Sequence, residues 1–228
     1  MESSAEWPAQ SERAHEAMGR RWLGIGNIAS RHWFCGLEPG GTDRSDWPEV
    51  WADRFRGAEV IDGRMEAGDP DHARWFSPTS KGQPTWIPLI RTLLAFKGEP
   101  ADDAACLAYQ RERFAAGDGD EAVLELSAYA AANLGVASPR ERYMAQRIER
   151  TKELLAHHRP AFLVCYGTTR RADFEKIAGG PFDADGFRVS GSTVCAIAMH
   201  PTPRFRPAPP QASWMQLGQE LRRRVDAL

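Results

Sequence analysis

Four short apolar runs, spaced along the chain and separated by stretches with helical spacing of their apolar positions, set the pattern of this sequence. They fall at about residues 32–36, 122–126, 161–166 and 194–199. The run at 161–166 is continuous rather than alternating, as expected of a central parallel strand covered on both faces. Between the runs, Trp86, Ile87, Leu89, Ile90, Leu93, Leu94 and Phe96 fit a helix stopped by Gly98 and Pro100, and residues 103–116 suit a second helix. The spacing predicts a longer helix over 138–158, with Ser138 as N-cap, Pro139 at the first position and Glu141 closing a capping box. Its buried stripe is Met144, Ile148, Thr151 and Leu155. Another helix follows Gly167-Thr168 and runs through Ile177 to the break at Gly179-Gly180-Pro181.

The flanks carry weaker signals. Residues 1–30 read as an amphipathic helical segment with Trp22, Leu23, Ile25 and Ile28 on its apolar face, weakened by Gly24 and Gly26. A short helix is expected from Trp47 to Phe55, and a long surface loop over residues 57–83, rich in Gly, Asp, Pro and Ser. Residues 210–228 form a C-terminal helix bearing Trp214, Met215, Leu217, Leu221 and Val225. Strands alternating with helices predict an α/β fold, with residues 1–228 forming a single domain around a central, mostly parallel four-stranded sheet flanked by helices.

Composition bounds the function. A chain of 228 residues, 42% apolar and 26% charged, has the makeup of a soluble globular protein. No apolar run approaches the roughly 20 residues of a membrane helix. The acidic start, Met1 to Glu6, lacks the design of a signal peptide. A cytoplasmic monomer with no membrane partner is expected. Cys35, Cys106, Cys165 and Cys195 are widely spaced without a Cys-x-x-Cys pair, so no metal or other cofactor is expected. Residues 1–137 carry a net charge of −8 and residues 138–228 one of +6, so the second half can face a polyanion.

Two strand ends bear the chemistry. After the first strand comes Gly36-Leu37-Glu38-Pro39-Gly40-Gly41, where Pro39 stiffens the turn and holds Glu38 extended. After the last comes His200-Pro201-Thr202-Pro203-Arg204-Phe205-Arg206. In a parallel sheet both lie at the carboxyl edge, where open α/β sheets bind ligands. A carboxylate that positions water and an imidazole that donates to a leaving group suit hydrolysis. Read singly, the Glu38 turn is as compatible with a plain strand-to-loop exit, and a lone His at a strand end is more often a hydrogen-bonded structural residue.

The pair resembles the uracil-DNA glycosylase superfamily. Gly36-Leu37-Glu38-Pro39-Gly40 is similar to its first motif, Gly-x-(Asp/Asn/Ala)-Pro-(Gly/Tyr), and His200-Pro201-Thr202-Pro203-Arg204 to its second, His-Pro-Ser/Thr. The likeness is greatest to single-strand-selective monofunctional members and covers about residues 32–204. It implies a DNA partner and base excision without a cofactor. Glu38 then takes the place of the water-activating Asp or Asn, and His200 that of the group stabilising the departing base. Residues 201–206, including Pro203, Arg204 and Phe205, take that of a loop entering the DNA.

The departures point to an unusual base. Glu38 is longer than the family's Asp or Asn, and the strand that supplies a base-reading Asn carries Glu125 instead. A carboxylate is the natural acceptor for the amino group of cytosine. Gly40 and Gly41 leave space beside the 5-position of a pyrimidine. Trp86 is the candidate aromatic for stacking on the base. Thr168, Thr169, Arg170 and Arg171 open a helix at a strand end and, with Arg204 and Arg206, would rim the crevice with phosphate contacts. The preferred expectation is a glycosylase that removes hydroxymethylated or glucosylated cytosine from phage DNA. The alternatives are repair of uracil or 5-hydroxymethyluracil, a silent DNA-binding member of the fold, and a Cys/His hydrolase using Cys35 and His200.

Overall fold

Strands that are apolar along their whole length need cover on both faces, and that requirement shapes this molecule. The computed structural model describes residues 16–38, 58–64, 74–129, 141–201 and 214–228. Its strands are β1 (Gly24–Gly26), β2 (His32–Gly36), β3 (Val60–Ile61), β4 (Glu121–Glu125), β5 (Phe162–Tyr166), β6 (Phe187–Ser190) and β7 (Thr193–Ala198). Its longer helices are α1 (Trp86–Lys97), α2 (Asp103–Glu112), α3 (Met144–His158), α4 (Arg171–Ala178) and α5 (Trp214–Val225). The sheet runs β3-β1-β4-β2-β5-β7-β6. Its centre, β4-β2-β5-β7, is parallel throughout. The α/β class therefore stands, and the four expected strands are this central block.

Alternate residues of each central strand face opposite layers. Phe34, Val123, Val164 and Ala196 join α1, α2 and α5 on one side. Trp33, Cys35, Leu124, Leu163, Cys165 and Cys195 join α3 and α4 on the other. Helix α5 lies against α1, where Thr92 Oγ1 donates to the Trp214 carbonyl at 2.9 Å. A Cβ on Gly218 would fall 2.2 Å from the Thr92 carbonyl oxygen, so the two helices meet at a glycine. No helix among the described residues is long and apolar enough to cross a membrane.

Three further strands, β3 and β1 on one flank and β6 on the other, correct the four-stranded expectation. The segment around Gly24 and Gly26 is strand rather than helix; the helix before it ends by residue 21. A Cβ on Gly24 would lie 2.0 Å from the Val123 carbonyl oxygen, so β1 can pair with β4 only through glycine. Within the expected 57–83 loop, β3 pairs with β1, and a helical turn occupies 74–76. Strand β6 forms an antiparallel hairpin with β7. Helix α3 starts at Met144 rather than Ser138, and Glu141, before it, forms an ion pair with Arg170. Ser138, Pro139 and the expected helix from Trp47 to Phe55 lie outside the described residues.

Candidate active site

The parallel block reverses its winding at β2: the chain passes from β2 to β4 on one side, then crosses to β5 and β7 on the other. Ligand sites of open α/β sheets form at such a switch point, beyond the carboxyl ends of the strands. Register aligns those ends, since Gly36 pairs with Glu125 and Tyr166 with Ala198. The pairing continues past the strands, with Leu126 N donating to the Gly36 carbonyl at 2.9 Å and Ser127 N to that of Leu37 at 2.7 Å. Glu38 thus leaves the sheet from a backbone held on one side by β4, and it is half-buried.

Tyr166, at the end of β5, brings the two motif segments together. An added Cβ on Gly36 would lie 2.5 Å from its Cζ and hydroxyl, so Tyr166 stands directly over the first motif. Its ring meets that of His200 edge-on, with centroids 5.9 Å apart at 67°. Its hydroxyl donates to Glu125 Oε1 at 3.3 Å. Gly36 of the first motif, Glu125 of β4 and His200 beyond β7 therefore surround one tyrosine. A purely apolar run ending in Tyr, immediately before a glycine, was the available signal for it.

Burial sets the charge states here. It pushes the Glu125 carboxyl up to about 8, and the negative charge of Glu38 adds to that rise, against the lowering effects of the Tyr166 hydroxyl and the positive charge of Arg147. That rise favours the neutral acid at pH 7, where the sequence suggests a carboxylate acceptor. Its Oε2 is buried and, among the described residues, has no hydrogen-bond partner. Desolvation lowers the His200 imidazole from the ordinary histidine value, which favours the neutral ring with its one N–H donor. Cys35 is fully buried on the other face of β2, and burial raises its thiol far above the usual value. A Cys35 nucleophile does not fit that environment.

Arg147 is the second residue that the sequence pattern concealed. It lies within the apolar stripe of α3, 1% exposed, and burial lowers its guanidinium to about 10. It donates to the carbonyls of Leu126 at 2.8 Å, Glu125 at 2.7 Å, Gly19 at 3.2 Å and Trp22. This clamps the end of β4 to the segment before β1.

Other expected site residues fare differently. Trp86 is a core aromatic, 8% exposed, stacked by Phe76 at 5.5 Å and 25° and packed against Trp75 and Phe114. The ring lying on it is a protein ring, which counts against its stacking on a base. Thr168 and Thr169 are exposed at the β5 exit, but Thr168–Arg170 is a 3-10 turn rather than the start of the helix. Arg170 pairs with Glu141 and Asp173, and Arg171 with Glu175 at 2.8 Å, so these two members of the expected basic rim already have acidic partners within the protein. Pro201 is buried beside His200. Pro39, Gly40, Gly41, Thr202, Pro203, Arg204, Phe205 and Arg206 lie outside the described residues. No group of three or more His, Cys, Asp or Glu suited to a metal occurs among the described residues.

No protein-family model matches this sequence, and comparison with curated proteins gives no match.

Proposed function

We propose that this chain is a monofunctional DNA glycosylase that hydrolyses the N-glycosidic bond of a flipped-out base and leaves an abasic site. The observation that carries the reading is the position of Tyr166, over Gly36 of the first motif and against His200 of the second. It supports one crevice shared by a carboxylate and a neutral imidazole at the switch point of the sheet. Breaking the bond between sugar and base leaves positive charge on the sugar and negative charge on the base. Glu38 orients the attacking water, offsets the sugar's charge and takes the water's proton as the new C–O bond forms. His200 donates its N–H to the base, which leaves with the bonding electron pair.

The preferred substrate is a 5-substituted cytosine, hydroxymethylated or glucosylated. A neutral Glu125 offers one donor and one acceptor, which match the ring nitrogen acceptor and exocyclic amino donor of cytosine. An enzyme that accepted plain cytosine would attack its host's own genome, so the 5-substituent is the required mark. The reading has the protein act on phage DNA as a cytoplasmic monomer. The test is abasic-site formation on oligonucleotides bearing uracil, 5-hydroxymethyluracil, 5-hydroxymethylcytosine or its glucosylated form. Release of the cytosine derivatives alone supports this reading. Release of uracil or 5-hydroxymethyluracil alone replaces it with a repair role, and binding without release replaces it with a silent DNA-binding one.

A further inference from the structure

A neutral carboxyl has an ambiguity that an amide lacks: either oxygen can carry the proton. Its donor and acceptor can exchange places, and the order of donor and acceptor is what separates a cytosine edge from a uracil edge. Cytosine places an amino donor at the 4-position and an acceptor at N3, whereas uracil reverses both. A glutamic acid left to itself would read both bases.

The surroundings of Glu125 remove that freedom. The Tyr166 hydroxyl donates to Oε1. Oε2 is buried without a hydrogen-bond partner among the described residues, in the space that a side chain on Gly36 would need: an added Cβ there would lie 2.6 Å away. The nearest cation does not claim the carboxyl either. Arg147 gives its N–H groups to four backbone carbonyls, and no ion pair joins it to Glu125 among the described residues. Among the described residues, the charged and titratable groups facing Glu125 are Glu38 and Cys35 from β2 and its exit, Arg147 from α3 and Tyr166 from β5, with His200 against the Tyr166 ring.

We infer that Tyr166 is a specificity-determining residue: by donating to Glu125 Oε1 it holds that oxygen as the acceptor and leaves Oε2 as the donor, so the pair accepts the amino-pyrimidine order and rejects the uracil order. The inference rests on the base-excising reading of this site and deepens it. Tyr166 also touches His200, so one side chain spaces the group that reads the base from the group that stabilises its departure.

The test compares kcat/KM for 5-hydroxymethylcytosine and 5-hydroxymethyluracil oligonucleotides in the parent protein, Tyr166→Phe and Glu125→Gln. Loss of the tyrosine hydroxyl should lower the cytosine-to-uracil ratio at least about tenfold, the scale of one discriminating hydrogen bond. In the parent that ratio should fall as pH rises through the titration of Glu125, and in Glu125→Gln it should not vary with pH. The pH comparison decides the matter even if Tyr166→Phe does not fold. A Tyr166→Phe protein that slows on both substrates with an unchanged ratio overturns the inference, as does a parent ratio that is flat across pH. A parent that releases no base from any substrate overturns the glycosylase reading itself, and the inference with it.

Discussion

Arg147 donates to the backbone carbonyl of Glu125 at 2.7 Å and makes no ion pair with its carboxyl. The guanidinium is a planar fork with five N–H groups, and here it gathers carbonyls from two segments far apart in sequence. Lysine keeps the charge but concentrates its donors at one point on a flexible stem. Arg147→Lys should therefore cost about 3–5 kcal/mol, the scale for leaving buried polar partners uncompensated. Urea unfolding checks this; a loss under about 1 kcal/mol would place the clamp elsewhere.

Catalysis should separate from binding. Glu38→Gln keeps the shape of the side chain but removes its charge and its basicity, and His200→Ala removes the N–H that the proposed mechanism gives to the departing base. Each should lower base release at least about 10²-fold. Affinity for a single-stranded oligonucleotide, followed by fluorescence anisotropy, should change little. Parent-like turnover in both variants would dismantle the assigned site.

Stability should fall as pH rises from mildly acidic to mildly alkaline. Glu121 is fully buried, accepts from the Tyr109 hydroxyl at 2.5 Å and from Ala115 N at 2.7 Å, and burial raises its carboxyl to about 7. Glu125 rises to about 8. Both are raised above an unfolded value near 4.5, so the folded state binds the extra protons. That stabilisation is complete below about pH 4.5 and is lost as pH climbs through the folded values, at up to about 1.4 kcal/mol per pH unit for each group. Urea midpoints measured from pH 5 to 8 should decline, and Glu121→Gln should flatten the decline. A midpoint that climbs over this range would contradict the assignment.

The central sheet was legible because its four strands are centred on short apolar runs, unbroken in β5 and β7, that need cover on both faces. The flanking strands were not. Val60–Ile61 is two residues long, and Gly24–Gly26 reads as a helix breaker because its glycines serve a close backbone approach that only tertiary structure reveals. At the candidate site, Glu38 and His200 could be nominated because turn chemistry and a pair of motifs like those of a known family single them out. Arg147 and Tyr166 carry no such mark. One is a charge concealed in an apolar helix stripe, the other a tyrosine that looks like the end of a buried strand. Trp86 misled for the opposite reason: a large aromatic near a loop suits a stacking platform and a core equally well, and its neighbours Phe76 and Phe114 decide for the core.

Gly36 tests whether the site is held apart from the fold. A Cβ there meets Tyr166 Cζ and its hydroxyl at 2.5 Å and Glu125 Oε2 at 2.6 Å, all of them side-chain atoms. A Cβ on Gly24 meets backbone instead, with the Val123 carbonyl oxygen at 2.0 Å and Leu124 Cα at 2.8 Å. Side chains can move aside and a paired strand cannot, so the two alanine substitutions should fail differently. Gly36→Ala should remain folded, losing about 1–3 kcal/mol as an overpacked site does. It should displace the Tyr166–Glu125 pair and reduce base release by about 10²-fold, the scale of a misplaced catalytic geometry. Gly24→Ala should prevent β1 from pairing with β4 and lose the cooperative fold. Parallel urea melts and abasic-site assays on the two variants distinguish the cases. A folded Gly36→Ala protein with full activity and unchanged base preference would mean that the Tyr166–Glu125 pair does not touch the substrate.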